Sequence, residues 1–459
     1  MVKIKVHRAL NQIGGCITEI WTETSRVFID MGQNLPGNCS ASESKDKTSF
    51  GSAERSLQST IVNAEPTLPE EDDEMVKNLF VQNKKEHEAV FYTHGHEDHI
   101  GLFMYVPDDV PQYMSDGTRE IILTKYELIA ESHKKSLKKA DIELTKEYYE
   151  EIINEDKRLI DKLKNFKTWE RPAKRQKPQA IHIGDISITP FYCNHSIFDA
   201  SMFLIEADGK RIWHTGDFRN HGFSGNLFAM LKAYATNIDT LIIEGTMLNQ
   251  DKVNITEEEV SDKMAHVMKA FKYVFVLCSA TDIDRLAAVQ RACEFSEKNL
   301  YVCSEFMLKT MAIFTRRMGQ KRKLFHFEPT LYRGKTASAT LKKDGFVMAL
   351  GASAYHKAKQ LRDSLDPSET LLIYSNWDGY YKIPEQVEHN KSYKAFRDLF
   401  PNVVDIHTSG HADRATLKQV IETIKPKGII GIHKDKDATI ESLNLVGISS
   451  NQKNKNIWS

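Results

Sequence analysis

The fold is decided by FYTHGHEDHIGL, residues 91–102. Three histidines and two acidic residues occupy five of its central six positions, directly after an apolar run that predicts a strand. Because side chains alternate along an extended chain, His94 and His96 project to the same side, whereas Asp98 and His99 come from the turn that follows. Imidazole and carboxylate groups suit Zn²⁺ or Mn²⁺. The stretch therefore predicts a metal site where a strand ends.

Ligand-type side chains recur at the ends of other predicted strands. His195 stands in CNHSIFDA, Asp217 in HTGDF, and His433 at the end of GIIGIH. Taken singly, each is more readily a hydrogen-bonded histidine or a turn aspartate than a ligand. The repetition of the pattern in separate segments indicates that distant parts of the chain complete the metal site.

Composition and charge restrict the class of protein. The 459 residues are enough for two or three domains, and the net charge of −1 gives no overall basic field, so a nucleic acid would have to be held by a local patch. The six cysteines are scattered without a C-x-x-C pair, which predicts reduced thiols. No apolar run reaches about 18 residues, and MVKIKVHRAL lacks a signal-peptide core. We therefore expect a cytoplasmic protein with no membrane segment.

The order of elements predicts a mixed α/β protein. Alternating strand patterns precede a Ser-rich stretch at 38–60 that reads as a loop or insertion. Residues 124–167 are strongly charged, with apolar residues at helical spacing, and predict one or two amphipathic helices. From residue 240 onward, apolar strands alternate with helical segments, which favours a parallel sheet flanked by helices.

The separated motifs HGHEDH, NHSIFD, HTGDF and HTSGHA resemble the β-CASP branch of the metallo-β-lactamase superfamily, and most closely ribonuclease J. The resemblance runs over most of the chain. It implies an αββα sandwich with an inserted β-CASP α/β domain. The sandwich would comprise residues 1–224, with the charged helical insertion at 124–167, and residues 391–459; the β-CASP domain would comprise 225–390.

The resemblance also implies a two-metal site, with two Zn²⁺ expected and Mn²⁺ left open. His94, His96 and His195 would hold one ion, Asp98, His99 and His433 the other, and Asp217 would bridge them. Asp30, in FIDMG, matches the acid of the first family motif and would orient the site by hydrogen bonding. On the residues alone, Asp30 is equally well read as a turn aspartate.

Glu244 in LIIEGT and His411 in HTSGHA match further motifs of the branch, and His433 matches the third. By resemblance, His411 would protonate the leaving 3′-oxygen, with Glu244 orienting its ring and Asp98 indispensable to activity. His407, Ser409 and Gly410 would bind a phosphate.

An alternative for the HTSGH loop is that Ser409 or Asp413 only caps the helix RATLKQVIETI. The sequence also departs from the family after His433, where HKDKDA replaces the usual His-Gly-Glu. This departure puts local phosphate contacts in question.

The resemblance implies a metal-dependent phosphodiesterase, a ribonuclease that acts on single-stranded RNA as a 5′-exonuclease, an endonuclease or both. A DNA nuclease of the same branch and a non-catalytic RNA-binding subunit are the alternatives. RNA contacts are expected from RRMGQKRK (316–323) and YRGKTASATLKK (332–343), with Tyr332 or Trp377 as stacking partners. The oligomeric state stays open, with a dimer among the expectations.

Overall fold

Three six-stranded sheets organise the molecule. The computed structural model describes residues 1–35, 72–138, 143–172, 176–334 and 336–445. The Ser-rich stretch at 38–60 lies outside the described residues.

The first sheet follows the chain from its start, and its spatial order equals its sequence order. The strands are β1 (Lys3–Arg8), β2 (Ile17–Trp21), β3 (Ser25–Ile29), β4 (His87–Phe91), β5 (Gln112–Ser115) and β6 (Lys167–Trp169). The first three pair antiparallel and the rest parallel. The helices of this part are α1 (Asp72–Val81), α2 (Glu97–Ile100), α3 (Asp116–Leu137) and α4 (Glu143–Lys164). The charged segment thus contains a pair of helices, and His133 of α3 meets Asp156 of α4 between them.

The second sheet begins with β7 (Ile181–Ile183), β8 (Ile186–Tyr192), β9 (Ser201–Ala207) and β10 (Lys210–His214), which pair antiparallel. Helix α5 (Leu227–Tyr234) then leads to β11 (Thr240–Glu244), which is parallel to β10. The direction of β8 therefore equals that of β10 and β11.

The third sheet is parallel throughout, in the order β14-β13-β15-β12-β16-β17. Its strands are β12 (Tyr273–Leu277), β13 (Leu300–Val302), β14 (Thr330–Leu331), β15 (Phe346–Leu350), β16 (Thr370–Tyr374) and β17 (Val403–Asp405). The helices are α6 (Glu257–Met268), α7 (Ile283–Phe295), α8 (Glu305–Phe314), α9 (Ala339–Asp344), α10 (Tyr355–Arg362), α11 (Gly379–Lys382), α12 (Pro384–His389) and α13 (Lys391–Leu399). The predicted β-α alternation is confirmed.

The chain then returns to the second sheet through α14 (Arg414–Ile424) and β18 (Gly428–Ile432), which pairs parallel with β11. Asp413 caps α14, because its carboxylate accepts a hydrogen bond from the Thr416 backbone N–H at 2.9 Å.

Apolar side chains of the first two sheets pack face to face, including Phe28 and Phe91 of the first sheet and Phe203 of the second. The other face of the second sheet is covered by α5 and α14. Two further apolar clusters cover the two faces of the third sheet. The expected αββα sandwich with an inserted α/β domain is therefore the fold of this chain.

Strand pairing divides the chain at other points than the composition indicated. The strand 240–244 lies in the second sheet, and the strand 403–405 lies in the third. We therefore propose that the insert runs from about residue 245 to about 406, instead of 225–390. A buried apolar strand looks the same in either sheet, so only its partners decide where it belongs.

The basic stretch 316–323 contacts the sandwich. Arg317 donates to Glu120 and Asp116 of α3 at 2.7 and 2.8 Å, and Arg316 also pairs with Glu120. These two arginines, predicted to contact RNA, are instead engaged in ion pairs between the insert and α3. Lys335, of the second basic stretch, lies outside the described residues.

Two predicted absences can be checked on the described residues. No helix among them has the length and apolar character that crossing a membrane requires. The five cysteines among them are unpaired, as the spacing predicted.

Candidate metal centre

The strand ends of the two packed sheets meet at one edge and carry the predicted site residues. Residues 94–99 follow β4, and Asp30 follows β3. In the second sheet, His195 follows β8, Asp217 follows β10, Glu244 ends β11 and His433 follows β18. Since β8, β10, β11 and β18 run in one direction, their carboxyl ends lie together.

Three histidines form the first cluster. Nδ1 of His96 lies 3.1 Å from Nε2 of His94 and 3.1 Å from Nε2 of His195. Ring nitrogens bound tetrahedrally to Zn²⁺ at about 2.0–2.1 Å would be separated by about 3.3 Å. The spacing of these nitrogens therefore fits a shared cation.

Asp98, His99 and His433 form the second cluster. Nε2 of His433 lies 3.0 Å from Oδ2 of Asp98, and Nε2 of His99 lies 3.8 Å from the same oxygen. Burial opposes ionisation of Asp98, but His99 and His433 outweigh it and lower its pKa to about 2. An ionised carboxylate among imidazoles is a ligand set for a divalent cation.

Asp217 lies between the two clusters. Its Oδ2 is 3.1 Å from Nε2 of His99 and 3.6 Å from Nε2 of His433. The same oxygen is 3.9 Å from Nε2 of His94 and 3.8 Å from Nε2 of His195. One carboxylate oxygen therefore faces both clusters, as a bridging ligand would.

Hydrogen bonds on the outer ring nitrogens direct three of the histidines inward. Nδ1 of His99 faces Oδ2 of Asp30 at 2.8 Å, Nδ1 of His195 faces the Gly410 carbonyl at 2.6 Å, and Nδ1 of His433 faces the Thr246 hydroxyl at 2.7 Å. Since the Asp30 and Gly410 oxygens accept, the Nδ1 of His99 and of His195 carries a proton there, and Nε2 is the nitrogen of each ring that faces the cluster.

Asp30 is fixed more tightly than a turn residue requires. It is fully buried and has a φ of 64°. Its Oδ1 accepts from the Thr93 backbone N–H at 2.7 Å, and its Oδ2 accepts from the Thr93 hydroxyl at 2.8 Å. The carboxylate thus holds His99 while Thr93, next to His94, holds the carboxylate.

Cys16 also lies among these ligand atoms, grouped with His99 and His433. Burial raises the pKa of its thiol to about 12, against the opposing effect of His99. The resemblance implies no cysteine ligand, so we do not count Cys16 with the metal set.

Beside the clusters, His411 pairs with Glu244. Nδ1 of His411 lies 3.3 Å from Oε2 of Glu244, 3.8 Å from Oδ2 of Asp217 and 3.1 Å from the hydroxyl of Thr246. Burial disfavours the charged ring, but Glu244 and Asp217 outweigh it and raise the pKa of His411 to about 9. A protonated imidazole therefore stands at the edge of the metal centre.

Side chains from other segments hold the HTSGH loop by donating hydrogen bonds to its carbonyl groups. Arg285 donates to the Thr408 carbonyl at 3.1 Å, His221 to that of Ser409 at 2.7 Å, His195 to that of Gly410 at 2.6 Å, and Asn254 to that of His411 at 2.9 Å. Four donors from separate segments thus satisfy the carbonyl groups of four consecutive residues of the loop.

Within that loop, Nδ1 of His407 accepts a hydrogen bond from Arg285 at 3.0 Å. Burial and then Arg285 lower the pKa of His407, so its ring is neutral and Nε2 carries the proton. The Ser409 hydroxyl oxygen accepts from the His411 backbone N–H at 3.1 Å. Ser409 does not cap the following helix, since Asp413 does.

Gly410 is required by packing against the loop of His195. A Cβ on Gly410 would lie 2.3 Å from Oγ of Ser196. The missing side chain of Gly410 therefore makes room for Ser196.

Sequence reasoning missed four residues of the centre: Thr246, His221, Asn254 and Arg285. Thr246 could have been found, because it stands two positions after Glu244 in the same motif. Arg285 stands in CSATDIDR (278–285), which resembles the segment of the β-CASP insert that lines the cleft. His221 and Asn254 carry no local signal, because their partners are distant in the chain.

Two family models match the chain. Residues 74–275 match the beta-lactamase superfamily domain, and residues 401–442 match the Zn-dependent metallo-hydrolase RNA specificity domain. The first match includes the HGHEDH stretch, His195, Asp217 and Glu244, and the second includes the HTSGH loop and His433.

Curated relatives and a solved structure agree with these matches. The chain is 22% identical over 393 residues to ribonuclease J 2 of Staphylococcus saprophyticus, covering 82% of this chain and 63% of that protein. It is 24% identical over 374 residues to ribonuclease J 2 of Staphylococcus aureus, covering 77% and 59%. The chain thus spans about three fifths of the length of these relatives.

A crystal structure of a protein of unknown function from Enterococcus faecalis shares the fold, with a TM-score of 0.63 and 18% identity over 96% of this chain and 95% of that one. The two domain matches, their order, and the similarity to both ribonucleases agree with the geometry of the strand-end histidines and aspartates. The chain is a metallo-β-lactamase-fold protein of the β-CASP group that resembles ribonuclease J.

Proposed function

We propose that this chain is a metal-dependent ribonuclease that hydrolyses phosphodiester bonds of single-stranded RNA as a 5′-exonuclease, an endonuclease or both. One observation carries the proposal: Oδ2 of Asp217 lies within 3.9 Å of ring nitrogens from both ligand clusters. The relatives named ribonuclease J and the match to an RNA specificity domain support RNA as the substrate.

In this proposal, His94, His96 and His195 hold one divalent cation, Asp98, His99 and His433 hold a second, and Asp217 contributes to both. Zn²⁺ is the expected ion. When bound, such ions lower the pKa of water and supply positive charge beside the phosphate. Six of the seven side chains are buried and His96 is half-buried, which limits the access of competing water to the ligand atoms.

His411 is the proposed general acid. Water loses a proton to solvent as its oxygen forms a bond to phosphorus, the bond from phosphorus to the 3′-oxygen breaks, and His411 gives its proton to that oxygen and regains one from solvent. The products are a free 3′-hydroxyl and a 5′-phosphate. Glu244 is fully buried and faces the His411 ring, so it keeps the imidazolium charged and oriented.

His407 and Ser409 are the proposed phosphate ligands. Arg285 donates to Nδ1 of His407, so we assign Nε2–H as the group that donates to the phosphate. The Ser409 hydroxyl is the second proposed donor, and its oxygen accepts from the loop itself. The fixed carbonyl groups of residues 408–411 keep both donors in place.

Purified protein loaded with Zn²⁺ or Mn²⁺ is incubated with end-labelled single-stranded RNA bearing a 5′-monophosphate, triphosphate or hydroxyl, and with DNA of the same sequence. We expect cleavage of RNA, and its loss in Asp98→Ala. His182→Ala, at an exposed histidine on β7, is the matched control. Cleavage of DNA alone would favour the DNA nuclease, and unchanged RNA cleavage by Asp98→Ala would refute the proposed site.

The role of His411 has its own test. His411→Ala should reduce kcat on RNA by about 10²–10⁴-fold, as loss of a general acid does, while bound metal stays the same. On an aryl phosphodiester, whose leaving group needs no proton, the loss should be much smaller. Equal losses on both substrates would assign His411 to substrate binding or metal support.

A further inference from the structure

A cluster of aromatic rings stands at the carboxyl edge of the third sheet, outside the metal centre. Trp377 is 43% exposed, whereas Trp169 and Trp213 are buried. Its ring meets Tyr380 edge-on at 5.4 Å, and Tyr380 stacks on Tyr393 at 4.5 Å with 17° between the planes. The exposed indole is therefore the open end of an ordered row of rings.

The indole of Trp377 is held in position on its inner side. A Cβ on Gly379 would lie 2.3 Å from the indole ring, so the ring rests directly on the Gly379 backbone. The hydroxyl of Tyr374 donates to the Trp377 carbonyl at 3.1 Å. A flat ring fixed in this way loses little conformational entropy when a second ring stacks on it.

The row of rings borders the proposed active site. Ser375 donates to the Ile406 carbonyl at 2.7 Å, and Arg285 contacts both Ser375 and His407. The loop that carries Trp377 is thereby joined to the HTSGH loop.

The exposed indole thus stands on a loop that is hydrogen-bonded to the HTSGH loop through Ser375 and Arg285. An exposed aromatic ring that is fixed next to a proposed phosphate-binding loop is one element of single-strand nucleic-acid channels.

We propose that Trp377 is a stacking platform for one nucleobase of single-stranded RNA, positioned beside the phosphate held at the HTSGH loop. The proposal rests on the proposed function. It adds a base-binding subsite that tolerates any base, since every base has a flat π face. Tyr380 and Gly379 are positioning residues for the indole.

The test uses full-length, metal-loaded protein and a series of single-stranded RNAs that each lack the base at one position. For wild-type protein, kcat/KM should be lower than on intact RNA for the one RNA of the series that lacks the base stacked on Trp377. Trp377→Ala should lower kcat/KM on intact RNA by about 5- to 100-fold, the range of a lost base stack. For Trp377→Ala, kcat/KM should be the same on intact RNA and on the RNA that lacks this base.

Trp377→Phe keeps a flat ring and should retain most of the activity and the position effect, which separates stacking from folding. Tyr148→Ala is the matched control, because Tyr148 is 55% exposed and also meets a neighbouring ring edge-on, on the helix α4. It should behave as wild type.

The outcomes separate the two proposals. If wild-type protein cleaves no RNA, the proposed function fails and the platform fails with it. If wild-type protein cleaves RNA and Trp377→Ala cleaves the intact and base-free series with unchanged kcat/KM, the platform alone is overturned. An equal loss in Trp377→Phe and Trp377→Ala would also overturn it, because phenylalanine can stack.

Discussion

At the scale of single residues, Asp30 shows how the centre sets the direction of a ligand. Asp30→Asn removes the charge that faces Nδ1 of His99, yet asparagine tolerates the φ of 64° at this position better than most residues. We expect affinity for one metal ion to fall by about 10–100-fold, as for other partners behind a ligand. The amount of bound metal is measured as a function of the free Zn²⁺ concentration at neutral pH.

The control for this substitution is Asp208→Asn, which has a φ of 48° and lies in an exposed turn between β9 and β10. It should leave the metal affinity unchanged. If Asp30→Asn binds as much metal as wild type at every concentration, Asp30 supports the backbone at this position and does not tune His99.

The same scale shows what the sequence could predict. His94, His195, Asp217 and His433 each follow a strand within three residues, so alternation and strand ends indicated them before any fold was known. Their partners could not be predicted in this way. The pairing of His221 with the Ser409 carbonyl joins residues 188 positions apart, and nothing near His221 in the sequence indicates it.

At the scale of elements, a buried ionic row crosses three strands of the first sheet. His7 of β1 contacts Glu19 of β2 at 2.8 Å, and Glu19 contacts Arg26 of β3 at 3.3 Å. Burial lowers the pKa of His7, although Glu19 opposes it. Burial would raise the pKa of Glu19, but His7 and Arg26 outweigh burial and lower it.

Both shifts have the same consequence for stability in acid. Below about pH 6.5 the unfolded chain protonates its histidine while buried His7 stays neutral, and at lower pH the unfolded glutamate binds a proton before Glu19 does. Stability is therefore complete at neutral pH and is lost as the pH falls.

His7→Gln should flatten this loss between pH 7 and 5, by at most about 1.4 kcal/mol per pH unit for one proton. Urea unfolding at a series of pH values measures it. His87→Gln, at an exposed histidine of β4, should leave the slope unchanged. A slope that His7→Gln does not alter would show that His7 binds a proton equally in both states.

Helix α7 positions the HTSGH loop through Arg285, which is 2% exposed and also donates to Glu257 at 2.9 Å through Nε. Arg285→Lys keeps the charge but loses the planar fork that reaches Glu257, Ser375 and the Thr408 carbonyl together. We expect KM for RNA to rise while bound metal stays the same, because the loop loosens and the ligands do not.

Arg291→Lys is the control for Arg285→Lys. Arg291 lies on the same helix and pairs with Glu258 and Asp262 at the surface, where an ion pair contributes about 0–1 kcal/mol. It should change neither KM nor the urea midpoint. If Arg285→Lys lowers kcat and bound metal with KM unchanged, the arginine supports the metal centre and not the phosphate loop.

Element order was easier to predict than element membership. The sequence predicted that apolar strands alternate with helical segments in the insert, and the structure has this alternation. It could not assign the strand 240–244 to the second sheet, since all five of its residues are buried and it shows no alternation. The insert boundary therefore had to come from strand pairing.

At the scale of the whole molecule, the metal centre joins the two halves of the sandwich. His94, His96, Asp98 and His99 follow a strand of the first sheet, whereas His195, Asp217 and His433 follow strands of the second. A cation held by both groups binds the folded state and not the unfolded chain. Metal should therefore add stability to the packing of one sheet on the other.

The expected increase is about 2.7 kcal/mol when free metal is about 100 times its Kd. Chelation with EDTA should lower the Tm of the wild-type protein by several degrees, and added Zn²⁺ should restore it. Asp217→Asn removes the charge shared by both clusters, so its Tm should respond much less to EDTA. His182→Asn, away from the site on β7, should respond as wild type does. If EDTA lowers the Tm of Asp217→Asn as much as it lowers the Tm of the wild-type protein, the two clusters hold their ions independently, and Asp217 is no bridge between the sheets.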